Sequence, residues 1–414
     1  SNPTDSAQLV PTLSTAHPRG EEGPNRSIAP GFHRTEVGLS TYPGGAQPST
    51  GLGSKCGGAP RKWVDGPMEI VATARERLVL ARDHGCAGTR EVVRSEGLTR
   101  IGRGMYLRVE STWEPWERAR VVNAARTIAA LDGREGERAC LVSAVVLRDL
   151  PLWQVPATVD VLVPRPGWRL PVQLPAVLGG EDTPEVMHRH GYTVPESDHD
   201  VVDGVPTVGL HRLALDVALQ WHPRDALVTV DGIMARLAAP DRGDREGTDR
   251  RAAGVRADMS ARLAAMPRRP GLGKAKAVIA AASPWSESPG ESVTRWAALA
   301  IGMAEPVCQY RFTRSNGRFF YLDQFWDEYG SGAEFDGLVK YKGDQGSHVV
   351  VAEKKRDDEI RRTGINLLHL DTPTANRPAL LAAALRGLMP RSAAAKMRPR
   401  AGLWTPDLGP WRSE

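Results

Sequence analysis

The chain has 414 residues, and its 54 Lys and Arg residues outnumber its 49 Asp and Glu residues to give a net charge of +5. An apolar content of 41% and a charged content of 25% are those of a soluble globular protein, with room for two to four domains. No apolar run approaches the roughly 18 residues of a membrane span and no signal peptide is visible, so we expect a cytoplasmic protein without membrane contact.

The cysteine and histidine residues form no recognisable metal-binding or disulfide pattern. No two cysteines make a C-x-x-C pair, so neither a zinc ribbon nor a disulfide framework is predicted, as suits a reducing compartment. The pair His188 and His190 is more typical of surface or core residues than of a metal site. The cysteines are Cys56, Cys86, Cys140 and Cys308.

Residues 1–67 are rich in Pro, Gly, Ser and Thr and have no sustained apolar period. Such a segment buries too little apolar surface to fold, so we expect it to be disordered. Met68 opens the first periodic stretch, and the sequence leaves open whether the preceding residues belong to the native protein.

Residues 68–110 have the pattern of a small DNA-binding module. Apolar spacing predicts a helix over residues 71–84, a glycine-containing turn, and a second helix over residues 89–96. Two short β runs follow around Gly102 and Gly104. Helix, tight turn, helix and basic hairpin together predict a winged helix-turn-helix, whose second helix lies in the major groove.

The polar residues of these elements are the candidate DNA contacts. The second helix would present Thr89, Arg90 and Arg94 to the groove, and the wing would present Arg100 and Arg103 to the phosphates. Two other interpretations stay open. The arginines could be ordinary solvated surface, or the module could bind another protein.

The segment Arg103-Gly104-Met105-Tyr106, with the helices before it, resembles the wing of AbiEi-type antitoxins, the repressor half of type IV toxin-antitoxin systems. The resemblance implies DNA and a cognate toxin as partners. One departure is that only two helices are predicted before the wing, where a standard unit has three.

Residues 115–238 predict a second, α/β region. Arg212 and Asp216, four residues apart on a predicted helix, are spaced for an ion pair. The expected elements are helices over residues 116–131 and 210–220, a buried apolar stretch over residues 139–150, and strands over residues 158–163 and 205–208.

No catalytic constellation is evident in this middle region. Its stretch from His211 to Asp216 is similar to the middle domain of AbiEi-like proteins, so we expect a scaffold or a homodimer interface. Residues 240–287 follow as an Arg-rich helical connector, which we interpret as a solvated linker with helices around residues 253–265 and 273–282.

Residues 288–386 predict the element order α-β-β-β-α-β. A helix with a Ser-Pro-Gly-Glu cap precedes three short apolar strands, a charged helix and a final apolar strand. Acidic residues fall on three successive elements. They are Glu291, Asp323, Glu334 and Asp336.

These acidic residues indicate a metal site. Side chains alternate along a strand, so Glu334 and Asp336 point the same way, and a hairpin would bring Asp323 beside them. Converging carboxylates repel one another unless a cation lies among them. Mg²⁺ or Mn²⁺ would suit such a site, polarising a phosphodiester and lowering the pKa of an attacking water.

The element order, with an E-x-D-G motif at residues 334–337 after Asp323, resembles the PD-(D/E)XK nuclease fold, and particularly the branch of very-short-patch-repair (Vsr) endonucleases. The resemblance implies that Asp323 and Glu334 hold the metal ion. It also implies that Glu291 acts from the neighbouring helix and that Asp336 assists.

The chain departs from that family at one catalytic position. Asp336 stands two residues after Glu334, where the E-x-K motif has a lysine. Lys340 or Lys354 would have to supply the missing cation, and the sequence places neither of them.

Simpler interpretations apply to each acidic residue. Ser288 and Glu291 form a capping box, so Glu291 could serve only to cap its own helix. Asp323 and Asp336 could mark ordinary turns. The charged residues 353–362 could be a solvated helix face.

Together these patterns predict an α/β and α+β multidomain protein, with a winged helix-turn-helix, a middle α/β scaffold, a restriction-endonuclease-like domain and a flexible tail over residues 387–414. The first functional hypothesis is a DNA-binding protein with a metal-dependent endonuclease-like domain. The alternative is an AbiEi-type antitoxin or transcriptional repressor whose nuclease fold is non-catalytic.

Overall fold

The computed structural model of the chain describes residues 69–85, 91, 93–94, 97–165, 167, 170–178, 185–314, 317–336, 356 and 358–408. The disorder predicted for residues 1–67 therefore lies outside the described residues. Within them, both helices and strands are present and the strands form three separate sheets. No helix in this part of the chain is long and apolar enough to cross a bilayer.

The first sheet has three strands and begins inside a segment predicted to be one helix. Helix α1 (Glu69–Arg77) ends where β1 (Leu78–Leu80) starts, and β1 pairs antiparallel with β3 (Met105–Leu107). The helix predicted over residues 71–84 is thus interrupted, because β3 offers backbone partners that local periodicity does not reveal. With β2 at Thr99–Gly102, the strand order is β1-β3-β2.

The hairpin of β2 and β3 confirms the two β runs predicted around Gly102 and Gly104. Gly102 pairs with Met105, so the turn consists of Arg103 and Gly104 alone. Gly104 has a φ of +70°, which glycine adopts without steric strain.

The second sheet forms the middle region and has six strands in the order β6-β7-β5-β4-β9-β8. The pairs β5–β7 and β4–β9 are parallel, and the other three pairs are antiparallel. The strands are β4 (Arg138–Ala139), β5 (Thr158–Val163), β6 (Val172–Gln173), β7 (Val186–Gly191), β8 (His199–Val202) and β9 (Val205–Val208).

The helices and strands predicted for this region are confirmed where their apolar pattern is strong. Strands β5 and β9 and one helix have the predicted bounds, and another helix begins one residue earlier than predicted. Strand β7 was missed because its sequence, Val-Met-His-Arg-His-Gly, is mostly polar. The helices are α2 (Pro115–Leu131), α3 (Leu141–Leu147), α4 (Leu210–Gln220) and α5 (Pro223–Ala238).

A buried arginine on α2 joins the first sheet to the middle region. Arg126 Nε donates to the carbonyl of Ile101 in β2 at 2.9 Å, and its Nη1 pairs with Glu185 Oε2 at 2.5 Å. Glu185 Oε1 also accepts from the backbone N–H groups of Val177 and Leu178. Because both charged side chains are at most 2% exposed, the contact fixes the hairpin against the middle region.

Two further helices occupy the segment predicted as a helical connector. They are α6 (Arg245–Ala265) and α7 (Leu272–Ala281). The interpretation as a solvated linker is corrected, since Ala252, Met259 and Leu263 are at most 1% exposed and belong to the main core. Helix α6 was interpreted as a solvated linker because its apolar residues, mostly alanines, form no clear stripe and are interspersed with five arginines.

The third sheet follows the element order predicted for the C-terminal region. Helix α8 (Pro289–Ile301) precedes β10 (Val307–Thr313), β11 (Phe319–Trp326) and β12 (Ser331–Asp336), which pair antiparallel in sequence. Residues 358–362 are helical. Strand β13 (Asn366–Asp371) then pairs parallel with β12, which gives the order β10-β11-β12-β13.

The segment predicted as a flexible tail, residues 387–414, is packed up to residue 408. Leu403 is 2% exposed, and its carbonyl accepts a hydrogen bond from Trp296 Nε1 on α8 at 3.0 Å. At the end of α8, Gly302 has a φ of +97°, and a Cβ there would lie 2.1 Å from the carbonyl oxygen of Arg398. Only glycine fits where the tail crosses α8. The helices of this part are α9 (Thr372–Ala375), α10 (Pro378–Arg386) and α11 (Arg391–Ala394).

A buried ion pair joins the middle region to the C-terminal region. Asp231 on α5 accepts from Arg295 Nη2 on α8 at 2.5 and 2.7 Å, and both side chains are at most 1% exposed. The carboxylate also accepts from Ser283 N, Ser286 Oγ and Ser292 Oγ at 2.8–3.1 Å. Burial alone would lower the pKa of the Arg295 guanidinium, but the charge of Asp231 raises it above its ordinary value.

Replacing Asp231 with alanine should lower the free energy of unfolding by about 3–5 kcal/mol, since Arg295 then stays buried without its counter-charge. Urea unfolding of the full-length protein, followed by tryptophan fluorescence, measures the loss. Asp258→Ala is the matched control, because the pair of Asp258 with Arg262 is 47% and 37% exposed and should contribute at most about 1 kcal/mol. Equal losses in the two variants would contradict the assigned importance of the buried pair.

Candidate functional site

The described candidates for DNA contact lie exposed on the first sheet and the helical residues before it. Residues 91, 93 and 94 are helical, and Arg94 is exposed. Arg100 and Arg103 are exposed on the β2–β3 hairpin, with Arg103 in its turn. Thr89 and Arg90, the other predicted contacts, lie outside the described residues.

Other arginines of this region are engaged within the protein. Arg75 Nη2 donates to the carbonyl of Asp203 at 2.7 Å. Arg77 pairs with Glu110, and its guanidinium lies 5.3 Å from the ring centre of Trp113. Arg77 is thus neutralised by a carboxylate, whereas exposed Arg75 keeps its charge and is held against the middle region.

Glu291 lies in the first turn of α8, where its carboxylate caps the helix entrance. Its backbone N–H donates to Ser288 Oγ at 3.2 Å, as the capping interpretation predicts. Its Oε2 accepts from the N–H of Glu287 at 2.8 Å and from Gln309 Nε2 of β10 at 3.1 Å. The capping role of Glu291 is thus present, and the same carboxylate connects α8 to the third sheet.

Asp323 lies at the place where the ladder between β11 and β12 ends. The last pair toward this side is Gln324 with Ala333. At the next position, Asp323 Oδ2 accepts a hydrogen bond from the backbone N–H of Phe335 at 3.0 Å. The side chain is 7% exposed and comes within one residue of Glu334 on the neighbouring strand.

Glu334 is 4% exposed and forms an ion pair with Arg356. The guanidinium carbon of Arg356 lies 4.9 Å from the ring centre of Phe320 on β11. A buried carboxylate requires a compensating charge, and here the chain itself supplies one.

Asp336 is exposed and contacts a histidine that no sequence pattern had indicated. Its Oδ2 lies 2.7 Å from Nδ1 of His369 on β13, and His369 is the register partner of Glu334. Parallel pairing of β12 with β13 brings the histidine there from 33 residues away. Lys340 and Lys354, predicted to supply a cation, lie outside the described residues.

In the contacts described above, the four predicted carboxylates have no partner in common. Among the described residues, no three His, Cys, Asp or Glu side chains form a set that could hold a metal ion. Mg²⁺ takes as few as one or two carboxylates and completes its shell with water and phosphate oxygens. Asp323 and Glu334, buried on adjacent strands, have the donor chemistry for one such ion, which would compete with Arg356 for Glu334.

Nucleophilic cysteine chemistry is disfavoured in the described part of the chain. Burial raises the pKa of the Cys140 thiol well above its ordinary value. Burial likewise raises the pKa of the Cys308 thiol to about 12. Both thiols stay protonated near neutral pH, and a thiol is a far weaker nucleophile than a thiolate.

The middle region contains a second group of polar side chains, and the sequence predicted one of its contacts. Arg212 pairs with Asp216 at 2.9 Å, which confirms the expected spacing on α4. Tyr192 donates to the same carboxylate at 2.8 Å, and His190 Nε2 lies 2.8 Å from Asp160 Oδ1. Each group has an internal partner, so the cluster is a connection between β5, β7 and α4.

Replacing Arg356 with alanine should destabilise the C-terminal region by about 1–3 kcal/mol, because it leaves the buried Glu334 carboxylate without its strongest partner. Arg314→Ala is the matched control, since Arg314 also lies over Phe320 but pairs with Glu359, whose side chain is 32% exposed. Thermal unfolding by circular dichroism compares the two. A smaller effect for Arg356→Ala than for the control would contradict the proposed importance of the Glu334 pair.

Comparisons of the chain with family models, with curated proteins and with solved structures found no match. The functional interpretation therefore depends on strand order, exposed charge and carboxylate contacts alone.

Proposed function

We propose that the chain is a DNA-binding protein whose first sheet belongs to a winged helix-turn-helix. The observation that carries this proposal is the strand order β1-β3-β2 after helix α1, with the hairpin turn at Arg103. The interrupted helix supports it further. Because β1 divides the segment predicted as one helix, three helical pieces precede the wing among the described residues: α1, a single 3-10 turn at Ala81–Asp83 and the helical residues 91, 93 and 94.

In this proposal the second helical segment enters the major groove and the hairpin contacts the backbone. Arg94 stands on that segment, while Arg100 and Arg103 meet phosphates. The anchoring of Ile101 by Arg126 holds the hairpin in one orientation, so little conformational entropy is lost when DNA binds. A net charge of +5 favours association with a polyanion.

A second candidate function is phosphodiester hydrolysis by the C-terminal region. Its favouring observation is that Asp323 and Glu334 are buried next to each other where β11 and β12 part, within an α-β-β-β-α-β element order like that of PD-(D/E)XK nucleases. These two residues would hold a Mg²⁺ or Mn²⁺ ion. When bound, the ion supplies Lewis-acid activation of the phosphate and of water.

The roles left to the chain are positioning and charge. Glu291 fixes the start of α8 beside the sheet through Gln309, and Asp336 with His369 borders the strand end. Lys340 or Lys354 would stabilise negative charge on the phosphate.

The alternative is an AbiEi-type antitoxin or repressor in which the C-terminal region does not cut, with a cognate toxin as partner. The ion pair of Glu334 with Arg356 favours this alternative, since it neutralises the carboxylate without a metal ion. Metal-dependent cleavage therefore separates the two candidates.

Reversing the charge at the hairpin should weaken binding to double-stranded DNA. We expect Arg103→Glu to lower affinity at least about tenfold and to reduce the slope of log K against log salt by about 1, because one phosphate contact is lost. Fluorescence anisotropy with a labelled duplex at several salt concentrations measures both quantities. Arg391→Glu, an equal charge change on exposed residue 391 of α11, should leave both nearly unchanged. Unaltered binding by Arg103→Glu would refute the assigned role of the wing.

If the C-terminal region cuts DNA, the wild-type protein should nick supercoiled plasmid with Mg²⁺ or Mn²⁺ and not with EDTA. Asp323→Ala and Glu334→Ala should each reduce the rate at least about 100-fold, because each removes a metal ligand. Asp327→Ala, which removes an exposed carboxylate four residues from Asp323, is the matched control. Full duplex binding by a wild-type protein that never cuts would establish the repressor alternative.

A further inference from the structure

Strand β11 concentrates arginine contacts on its aromatic rings. Of the seven arginine–ring contacts found among the described residues, four involve rings of this eight-residue strand. Such contacts occur about once per 70–80 residues in proteins, so this density exceeds ordinary surface packing. The rings are those of Phe319, Phe320 and Tyr321.

These rings are divided between the two faces of the sheet. Phe312 and Phe320 stack with ring centres 4.8 Å apart and are buried with Ile360, so this face is covered by the helical residues 358–362. Successive side chains of a strand point to opposite faces. Phe319 and Tyr321 therefore lie on the other face, where both are only half-buried.

The second face carries Arg311, which has no carboxylate partner among the described residues. Arg311 is the register partner of Tyr321, is exposed, and places its guanidinium carbon 4.1 Å from the ring centre of Phe319. It forms no ion pair with any carboxylate in the described ranges. Arg242 covers Tyr321 at 4.2 Å but pairs with Glu287. Of these two arginines, Arg311 is thus the one that has no carboxylate partner in the described part of the chain.

We propose that this face, defined by Arg311, Phe319 and Tyr321, binds a single-stranded polynucleotide. A half-exposed aromatic ring and the flat side of a guanidinium are surfaces on which unpaired bases stack, while the charge of the arginine attracts the phosphates. Bases in a duplex are already stacked, so the face selects single strands. The duplex site proposed on the hairpin is a separate surface, and this inference does not depend on it.

The position of the face relates it to the carboxylate site. Tyr321 precedes Asp323 by two residues on β11, about 7 Å along an extended strand. A single strand stacked on Phe319 would therefore extend to the end of the β11–β12 ladder. This region of the sheet would therefore bind the polynucleotide even if the C-terminal region does not cut it.

The test uses the full-length protein and fluorescein-labelled oligonucleotides of 15 deoxythymidines or 15 uridines, which have little secondary structure. Arg311→Ala and Phe319→Leu should each weaken binding of the single strand about tenfold in anisotropy titrations, while affinity for a labelled duplex stays within about twofold. Arg391→Ala is the matched arginine control. Comparison of the two oligonucleotides shows whether the sugar of DNA or of RNA is preferred.

Wild-type affinity for single strands in both Arg311→Ala and Phe319→Leu would overturn the proposal, as would a wild-type protein that binds neither oligonucleotide. Circular dichroism melting establishes that each variant is folded. Because Arg311 is exposed, Arg311→Ala should disturb the fold less than Phe319→Leu does. The Arg103→Glu variant keeps the two proposals distinguishable. This variant should lose affinity for the duplex and keep its affinity for the single-stranded oligonucleotides.

Discussion

The buried pair of Asp231 with Arg295 is the contact on which the relation of the middle region to the C-terminal region depends. Removing two charges from water costs several kcal/mol each, and only a fully bonded arrangement compensates for it. Here the two oxygens of Asp231 accept from Arg295 and from three serine groups. Since so many donors converge on one carboxylate, α5 and α8 are held in one relative position. The position of Glu291, at the start of α8, is fixed by the same contact.

A buried arginine–carboxylate pair also lies at the boundary between the first sheet and the middle region. Arg126 bonds the hairpin strand β2 on one side and Glu185 on the other. Both boundaries therefore use a planar guanidinium, which can bond a carboxylate and a backbone carbonyl at once. Directional contacts of this kind specify orientation more strictly than apolar packing does. The main apolar core includes residues of all three sheets or of the helices beside them, and a smaller cluster around Phe320 belongs to the C-terminal region alone.

Local pattern predicted much of the fold, and the failures have a common cause. Strand β5, strand β9, helix α4 and the order of elements after α8 follow from apolar spacing within a few residues. Strand β1 was missed because its partner β3 lies about 25 residues further on. The same limit applies at the candidate site. Asp323 and Glu334 were selected from their strands, whereas Arg356 and His369, which contact Glu334 and Asp336, come from 22 and 33 residues away and were not selected.

The crossing of the C-terminal segment over α8 has a consequence for how the chain acquires its structure during synthesis. Gly302 ends its helix against the carbonyl of Arg398, and Trp296 is bonded to Leu403. Neither contact can form until about a hundred more residues have left the ribosome. Until then the indole N–H of Trp296 bonds to water, and part of the apolar surface of α8 stays uncovered. Transiently exposed apolar surface is prone to aggregation, so the packing of the segment around residues 398–403 protects this face of α8 late in folding.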